Sequence, residues 1–403
     1  MTARALFVAT FVVCLTGAAT ALGLEVADAP CLSGPVQFGN WGASGSGSEQ
    51  LAELTAPDAP GPLKWSWLHV RRDAGAHHSR SARAQGLPAR VRLVPAPNPN
   101  PRRPLVHVGY PRAASRWLQK HLFASAGFVQ PFHSTEIVSN LIAPGQLAFD
   151  AEEARLWAGS ALGEAAATDR VAVISSEMLC GRVFAGGWSA KELAARIATT
   201  FGEPRVLIVV REQGAALLSV YKMYLQAGGG LTIDEFIDPP RTGKTVVPPF
   251  SLDHFRYWPL VAHYTATFGS DSVLVVPFEQ LMTDGRGFAR RITQFAGVAL
   301  PDDLPLTLVE NGSPPSRFLA FRRRINPLAT RHALNGYSPL YVPGAERLLA
   351  LAEGLPVWDD PLHRVDTRWR AAIDGHVGDM FADDNRALSR ATGIDLGRHG
   401  YRV

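Results

Sequence analysis

Two groups of residues in this 403-residue chain have the types and spacing to hold phosphate. The first is the run Tyr110, Pro111, Arg112, Ala113, Ala114, Ser115, Arg116, Trp117. It follows an apolar stretch, 105–109, that predicts a buried strand. It leads into Trp117, Leu118, His121 and Leu122 at helical spacing. Strand, tight turn and helix in that order aim successive backbone N–H groups at one point, which suits an anion. The Walker ending Gly-Lys-Ser/Thr is absent, which disfavours an ordinary ATPase or GTPase. The second group is Arg211, delivered by the apolar run 206–210, with Ser219 eight residues on and about two helical turns away. A guanidinium and a hydroxyl so placed can reach one phosphate, the arginine with two N–H groups. Each group has a plainer reading. The loop can be a βα corner with a buried tryptophan, and the pair a strand-end arginine with a serine bonded back into its own helix.

Positioning these groups takes a sheet with helices on both faces. Strands are predicted at 105–109, 171–175, 206–210 and 273–276, and helices at 115–126, 190–201, 213–226, 252–268 and 286–295. Strands that alternate with helices imply a parallel sheet. Phosphate-handling groups then gather outside the carboxyl ends of its strands.

The order of these segments resembles the PAPS-dependent sulfotransferases of the bacterial type (PAPS is 3′-phosphoadenosine 5′-phosphosulfate). In that family a strand runs into Gly-x-Pro-Lys-x-Gly-Thr-Thr-Trp-Leu. Here Gly109, Pro111, Ser115, Trp117 and Leu118 hold the pattern, while Arg112, Ala114 and Arg116 depart from it. The resemblance spans about 105–403 and implies a P-loop-like α/β fold. It assigns the 5′-phosphosulfate to 110–117, the 3′-phosphate to Arg211 and Ser219, and an adenine-stacking place to Trp117. The segment Val171 to Leu179 is similar to the family's strand-Ser-Ser-Glu. It makes Glu177 the candidate base that takes a proton from an acceptor hydroxyl or amine, with His133 as its rival. His107, inside the first strand, reads as a core histidine. Arg112 is the candidate for neutralising the leaving phosphate, by charge and hydrogen bonds alone. The segment Val273 to Val298 looks like the family's late strand and helix, with Glu279 a cap or a surface carboxylate. The Arg-Lys-Gly loop of many relatives is missing, and 316–324 is the suggested substitute. Five arginines between Asn311 and Ala345 form either a solvated helix face or a stripe toward an anion. The closing segment resembles the family's C-terminal helix, with Asn385 and Arg386 exposed or capping.

The resemblance thus implies a sulfotransferase that uses PAPS as donor and a carbohydrate, lipid or small-molecule acceptor. It implies no metal, and no Cys/His cluster offers one. The alternatives are a PAP- or PAPS-binding protein impaired in catalysis and, further off, a P-loop kinase. The formal charge of +4 comes from 1–104, which carries ten Lys/Arg against six Asp/Glu, so it gives no ground for a nucleic-acid partner. The uncharged residues 5–24, Ala5 to Leu24 with Arg4 before them, can span a bilayer or serve as a secretory signal. Residues 1–29 therefore read as signal peptide, membrane anchor or mis-started leader. Residues 30–104, rich in Gly, Ser and Pro, read as a disordered or extended linker, and 105–403 as the sulfotransferase domain. A functional leader places the enzyme on a membrane or in a secretory-pathway lumen, whereas a mis-started one leaves it cytoplasmic. Cys180 reads as a buried thiol, with pairing to Cys31 open if the chain is exported.

Overall fold

The computed structural model describes residues 103–239, 250–306, 313–330, 334 and 339–403. The expectations for the leader and linker, for Cys31 and for Arg331 lie outside them. No helix among the described residues is long and apolar enough to cross a membrane.

Among the described residues five parallel strands form the sheet: β1 (Leu105–His107), β2 (Phe128–Val129), β3 (Val171–Ser175), β4 (Arg205–Val210) and β5 (Val273–Pro277), in the order β2-β3-β1-β4-β5. β1 is central, with Leu105 opposite Val173 of β3 on one side and Arg205 of β4 on the other. The helices up to β4 are α1 (Ser115–Trp117, continued by a wider turn Leu118–Leu122), α2 (Ser134–Ile137), α3 (Ala151–Ala167) and α4 (Ala190–Phe201). Those up to β5 are α5 (Gln213–Gln226), α6 (Ile233–Ile237) and α7 (Tyr257–Phe268). After β5 come α8 (Phe278–Thr283), α9 (Gly285–Ala296), α10 (Ser316–Ala329), α11 (Ala345–Glu353), α12 (Arg364–Val377) and α13 (Ala382–Thr392).

The expected α/β class is the observed one, and the two-residue period of the strands explains it. Val206, Ile208 and Val210 enter the core on one face of the sheet, and Leu207 and Val209 enter the core on the other. Strands buried on both faces read as unbroken apolar runs, which is how four of the five were legible. β2 has two residues and is too short to leave a pattern.

Other departures have local causes. The helix expected over 252–268 is split into a turn, Leu252–Phe255, and α7, with Arg256 extended between them. Pro259 has no N–H to continue the ladder backwards, and it sits comfortably in the first turn of α7. The long α3 went unpredicted, although Asp150 accepts from the N–H groups of Glu152 and Glu153 in a normal N-cap. Asn385, expected exposed or capping, is fully buried. It exchanges hydrogen bonds with Gln213 and donates to Arg402 O, fastening α13 and the chain's end to α5. Arg322 is likewise no solvated residue, because it is buried against Gln226 O and Glu346.

Two imidazoles are sealed into this core. His107 pairs with Ser175 Oγ at 2.8 Å, and burial lowers it to about 3. His254 lies against Tyr110 and Cys180, and burial lowers it to about 4. Both are neutral when folded and take up a proton below about pH 6.5 when unfolded. The unfolded state therefore binds more protons in that range, and stability falls as pH falls from about 6.5 toward 4. Urea unfolding at pH 7 and pH 4.5 should show this loss, and His107→Gln should flatten it by on the order of a few kcal/mol. An unchanged slope in the variant would remove His107 as its source.

Candidate functional site

The loop after β1 is shaped by positive backbone angles. Gly109 has φ of 105°, and a Cβ there would lie 3.0 Å from Glu177 O and 3.1 Å from Glu177 Cα, so the position requires glycine. Tyr110 is buried beneath the loop with its ring edge-on to Tyr257, centroids 4.7 Å apart. Pro111 begins the turn, and Arg112 and Ala114 follow at φ of 64° and 63°. Ala114 thus holds the left-handed conformation for which the resembling pattern uses glycine. Among the described residues no acceptor meets the backbone N–H groups of Arg112, Ala113 and Ala114. Ser115, which opens α1, has a buried hydroxyl without a hydrogen-bond partner. These are donors left over from folding.

The side chains converge on the same point from three segments. Arg112 Nε donates to Ser219 Oγ at 2.8 Å, and its Nη2 donates to Ser313 Oγ at 3.0 Å. Arg211, at the carboxyl end of β4, donates through Nη1 to Arg112 O at 2.8 Å, and its guanidinium lies 4.6 Å from the Phe278 ring centre. Its Nε is buried without a partner. Ser219 therefore bonds to Arg112 rather than to Arg211, although all three line one cleft of about 710 Å³. Burial lowers the pKa of both arginines, opposed by Glu279 at Arg211 and by Glu177 at Arg112. A guanidinium starts so high that both stay cationic.

The next layer fixes these groups. Glu212 caps α5 by accepting from Gly214 and Ala215, and its own N–H donates to Glu279 Oε1 at 2.9 Å. Glu279 also accepts from Tyr401, so it is a half-buried brace between β4, α8 and the chain's end and not a surface carboxylate. Burial raises its pKa. Arg370 of α12 pairs with Glu212 and Asp374 and lies flat on Gly214, where a Cβ would come within 2.5 Å of its guanidinium carbon. Lys222 pairs with Asp366 at 2.8 Å on the same wall. Lys222 follows Ser219 by three residues and so was findable from helical spacing. Arg370 and Ser313 left no local signal, because only the fold carries them here, whereas Phe278 stands in the strand-and-helix segment 273–298. None of the residues 316–324 lines the cleft, although Ser316 donates its hydroxyl to Asp366 on the cleft wall.

Glu177 follows β3 by one residue, with Ser176 between them, and is half-buried. Burial raises its pKa, while Arg112, the nearby Ser115 hydroxyl and Arg116 pull it down. Ser115 is close enough to favour the carboxylate but outside hydrogen-bond geometry. Glu177 thus sits at the Arg112 end of the cleft without lining it. His133 is exposed at the start of α2 and does not line the cleft either. Arg116 is exposed. Trp117 is 0 % exposed, donates to Pro305 O at 2.9 Å and packs edge-on to Phe288. The stacking place implied for it is corrected here, since apolar burial leaves no ring face open to a base. Cys180 is a buried thiol, as read from the sequence, and burial raises its pKa. Among the described residues no group of three or more His, Cys, Asp or Glu could hold a metal.

No protein family and no curated protein matches the sequence. Among solved structures the chain is similar to a sulfotransferase from Alicyclobacillus acidocaldarius, at 18% identity and TM-score 0.38, over 55% of this chain and 94% of that one. It is also similar to the sulfotransferase domain from the Synechococcus PCC 7002 olefin synthase, at 17% identity and TM-score 0.33, over 65% and 98%. A third is the sulfotransferase domain from the curacin biosynthetic pathway, at 12% identity and TM-score 0.31, over 68% and 96%.

The loop geometry has a direct test. Gly109→Ala forces a side chain into a left-handed position against the backbone of Glu177, and should lower unfolding free energy by about 1–3 kcal/mol. Chemical denaturation measures it, and a change smaller than the error would show that the loop relaxes freely.

Proposed function

We propose that the domain is a sulfotransferase that moves a sulfuryl group from PAPS to a hydroxyl or amine. One observation carries this reading. Arg112, Arg211 and Ser219 come from the β1 loop, the end of β4 and the body of α5, and they meet at one cleft beside unpartnered N–H groups. The leftover donors suit the donor nucleotide, because a buried N–H without an acceptor costs free energy that a phosphate oxygen can recover. Arg211, with its unpartnered Nε, and Ser219 are the groups for the 3′-phosphate. Arg112 and the N–H groups of 112–114 face the 5′-phosphosulfate.

In the transfer the acceptor's oxygen or nitrogen bonds to sulfur as the bond from sulfur to the 5′-phosphate oxygen breaks. Arg112 offsets the charge left on that phosphate. Glu177 receives the acceptor's proton, and its raised pKa brings it nearer to the operating pH of a general base. Rate then comes from holding the partners in line and from cations fixed in advance. A second reading, PAP binding without turnover, draws on Arg112. Its guanidinium is already committed to Ser219 and Ser313, and it cannot give up a proton as a lysine can.

Thermal shift separates these readings from a kinase. PAP should stabilise the protein more than 5′-AMP or ATP, and Arg211→Ala should remove most of the preference, which a charge-assisted contact sets at roughly 1.5–3 kcal/mol. Equal shifts for PAP and 5′-AMP would sink the assignment. For catalysis, Glu177→Gln should lower kcat by about 10²-fold or more with little change in PAP affinity. If His133→Ala has that effect instead, the base is His133. The active base is the deprotonated carboxylate. The acid limb of kcat/KM should therefore lie above the ordinary glutamate range, with activity lost as pH falls through it.

A further inference from the structure

Exposed apolar side chains are concentrated in one stretch. Of seventeen large ones exposed among the described residues, eight lie between Leu340 and Leu362. Leu351 is 67 % exposed, Val357 60 % and Leu362 64 %. The stretch is held in place from both ends of α10. Leu340 and Val342 donate backbone N–H groups to Leu328 O and Ala329 O, each at 3.0 Å. At the other end Trp358 packs on Phe318 and Phe321, and its Nε1 donates to Ala352 O at 2.6 Å. α11 turns Ala345 and Leu349 inward and leaves Leu348 and Leu351 on an open flank. Single exposed leucines are ordinary, but a braced cluster of them marks a contact surface.

Cationic side chains accompany this stretch: Arg347 is next to Leu348 on α11, Arg364 follows Leu362 by two residues, and Arg324 and Arg368 stand about one turn on from Phe321 and Arg364. Arg324, Arg347, Arg364 and Arg368 are exposed and, among the described residues, make no ion pair. The carboxylates of the stretch are mostly engaged: Glu346 with Arg322, Asp366 with Lys222, and Asp360 as acceptor of the Val365 N–H. Glu353 and Asp359 remain against the four arginines.

We propose that this face docks on an anionic lipid bilayer. Leu351, Val357 and Leu362 enter the interfacial region, and the four arginines face lipid phosphates. Apolar insertion beside unpaired cations is the pattern of a surface-bound protein, and cations near an anionic leaflet are drawn to it. The same chain carries the uncharged run 5–24, long enough to span a bilayer. Arg364 and Arg368 stand on α12, on a different side of the helix from Asp366 and Arg370, which line the cleft.

The test uses the full chain with Cys14→Ser and Cys31→Ser. An environment-sensitive nitrobenzoxadiazole label is placed at Leu351→Cys, Val357→Cys or, on the distant helix α3, Leu156→Cys, which is 68 % exposed. Thermal melts check that each variant folds. With vesicles of phosphatidylcholine and phosphatidylglycerol, labels at 351 and 357 should shift to the blue and brighten while the label at 156 does not. Phosphatidylcholine alone should give a smaller shift. No shift at 351 and 357, or an equal shift at 156, would overturn the proposal, because attachment through 5–24 alone leaves these sites in water. An equal response to neutral vesicles overturns the anionic assignment. A shift produced by raising protein concentration without vesicles overturns the bilayer in favour of a second copy of the chain.

Discussion

Parallel pairing of β1 with β3 on one side and β4 on the other is the constraint from which the site follows. The registers that set Leu105 opposite Val173 and Arg205 end β1 and β3 level at His107 and Ser175, while β4 runs three residues further to Val210 alongside the β1 loop, whose Tyr110 N–H donates to Val209 O. The chain must leave all three at the same edge, so the β1 loop, Glu177 after β3 and Arg211 after β4 become neighbours without any local sequence demanding it. The closeness shows at Gly109, whose backbone meets that of Glu177 with no room for a side chain.

Charge burial is the second theme, and it is balanced throughout. Arg112 and Arg211 are partly withdrawn from water, and each has a carboxylate, Glu177 or Glu279, raising its pKa against the effect of burial. Glu279 is itself held by the Glu212 N–H and the Tyr401 hydroxyl. Glu212 in turn caps α5 and pairs with Arg370. Removing one member leaves another charge buried and unpaired, which costs more than the pair is worth. The end of the chain is therefore part of the site's support: Tyr401 is buried, and Asn385 ties Arg402 to Gln213 at the start of α5.

Hydrogen bonding at the cleft is incomplete. Among the described residues Arg211 Nε, Ser115 Oγ and the N–H groups of Arg112, Ala113 and Ala114 have no acceptor, whereas Arg112 spends its donors on two serines. A protein folded only for stability pairs such groups. Those of Arg112, Ala114 and Arg211 border a cleft of about 710 Å³, which is the physical reason to read the site as a place for an anion.

By itself the sequence determined the strands β1, β3, β4 and β5, most helices between them, the parallel class, and Arg112, Arg211 and Ser219 as phosphate candidates. These are local facts: apolar runs long enough to be buried on both faces, and polar residues at the ends of such runs. Only the tertiary structure decided which of them touch. It paired Ser219 with Arg112, placed Trp117 in the core, left His133 at the surface, buried Asn385 and Arg322, and brought Arg370 and Ser313 to the cleft from remote helices and turns. The reason is that spacing along a chain sets which face a residue takes, whereas its partner on that face is set by what the crossover connections deliver from elsewhere.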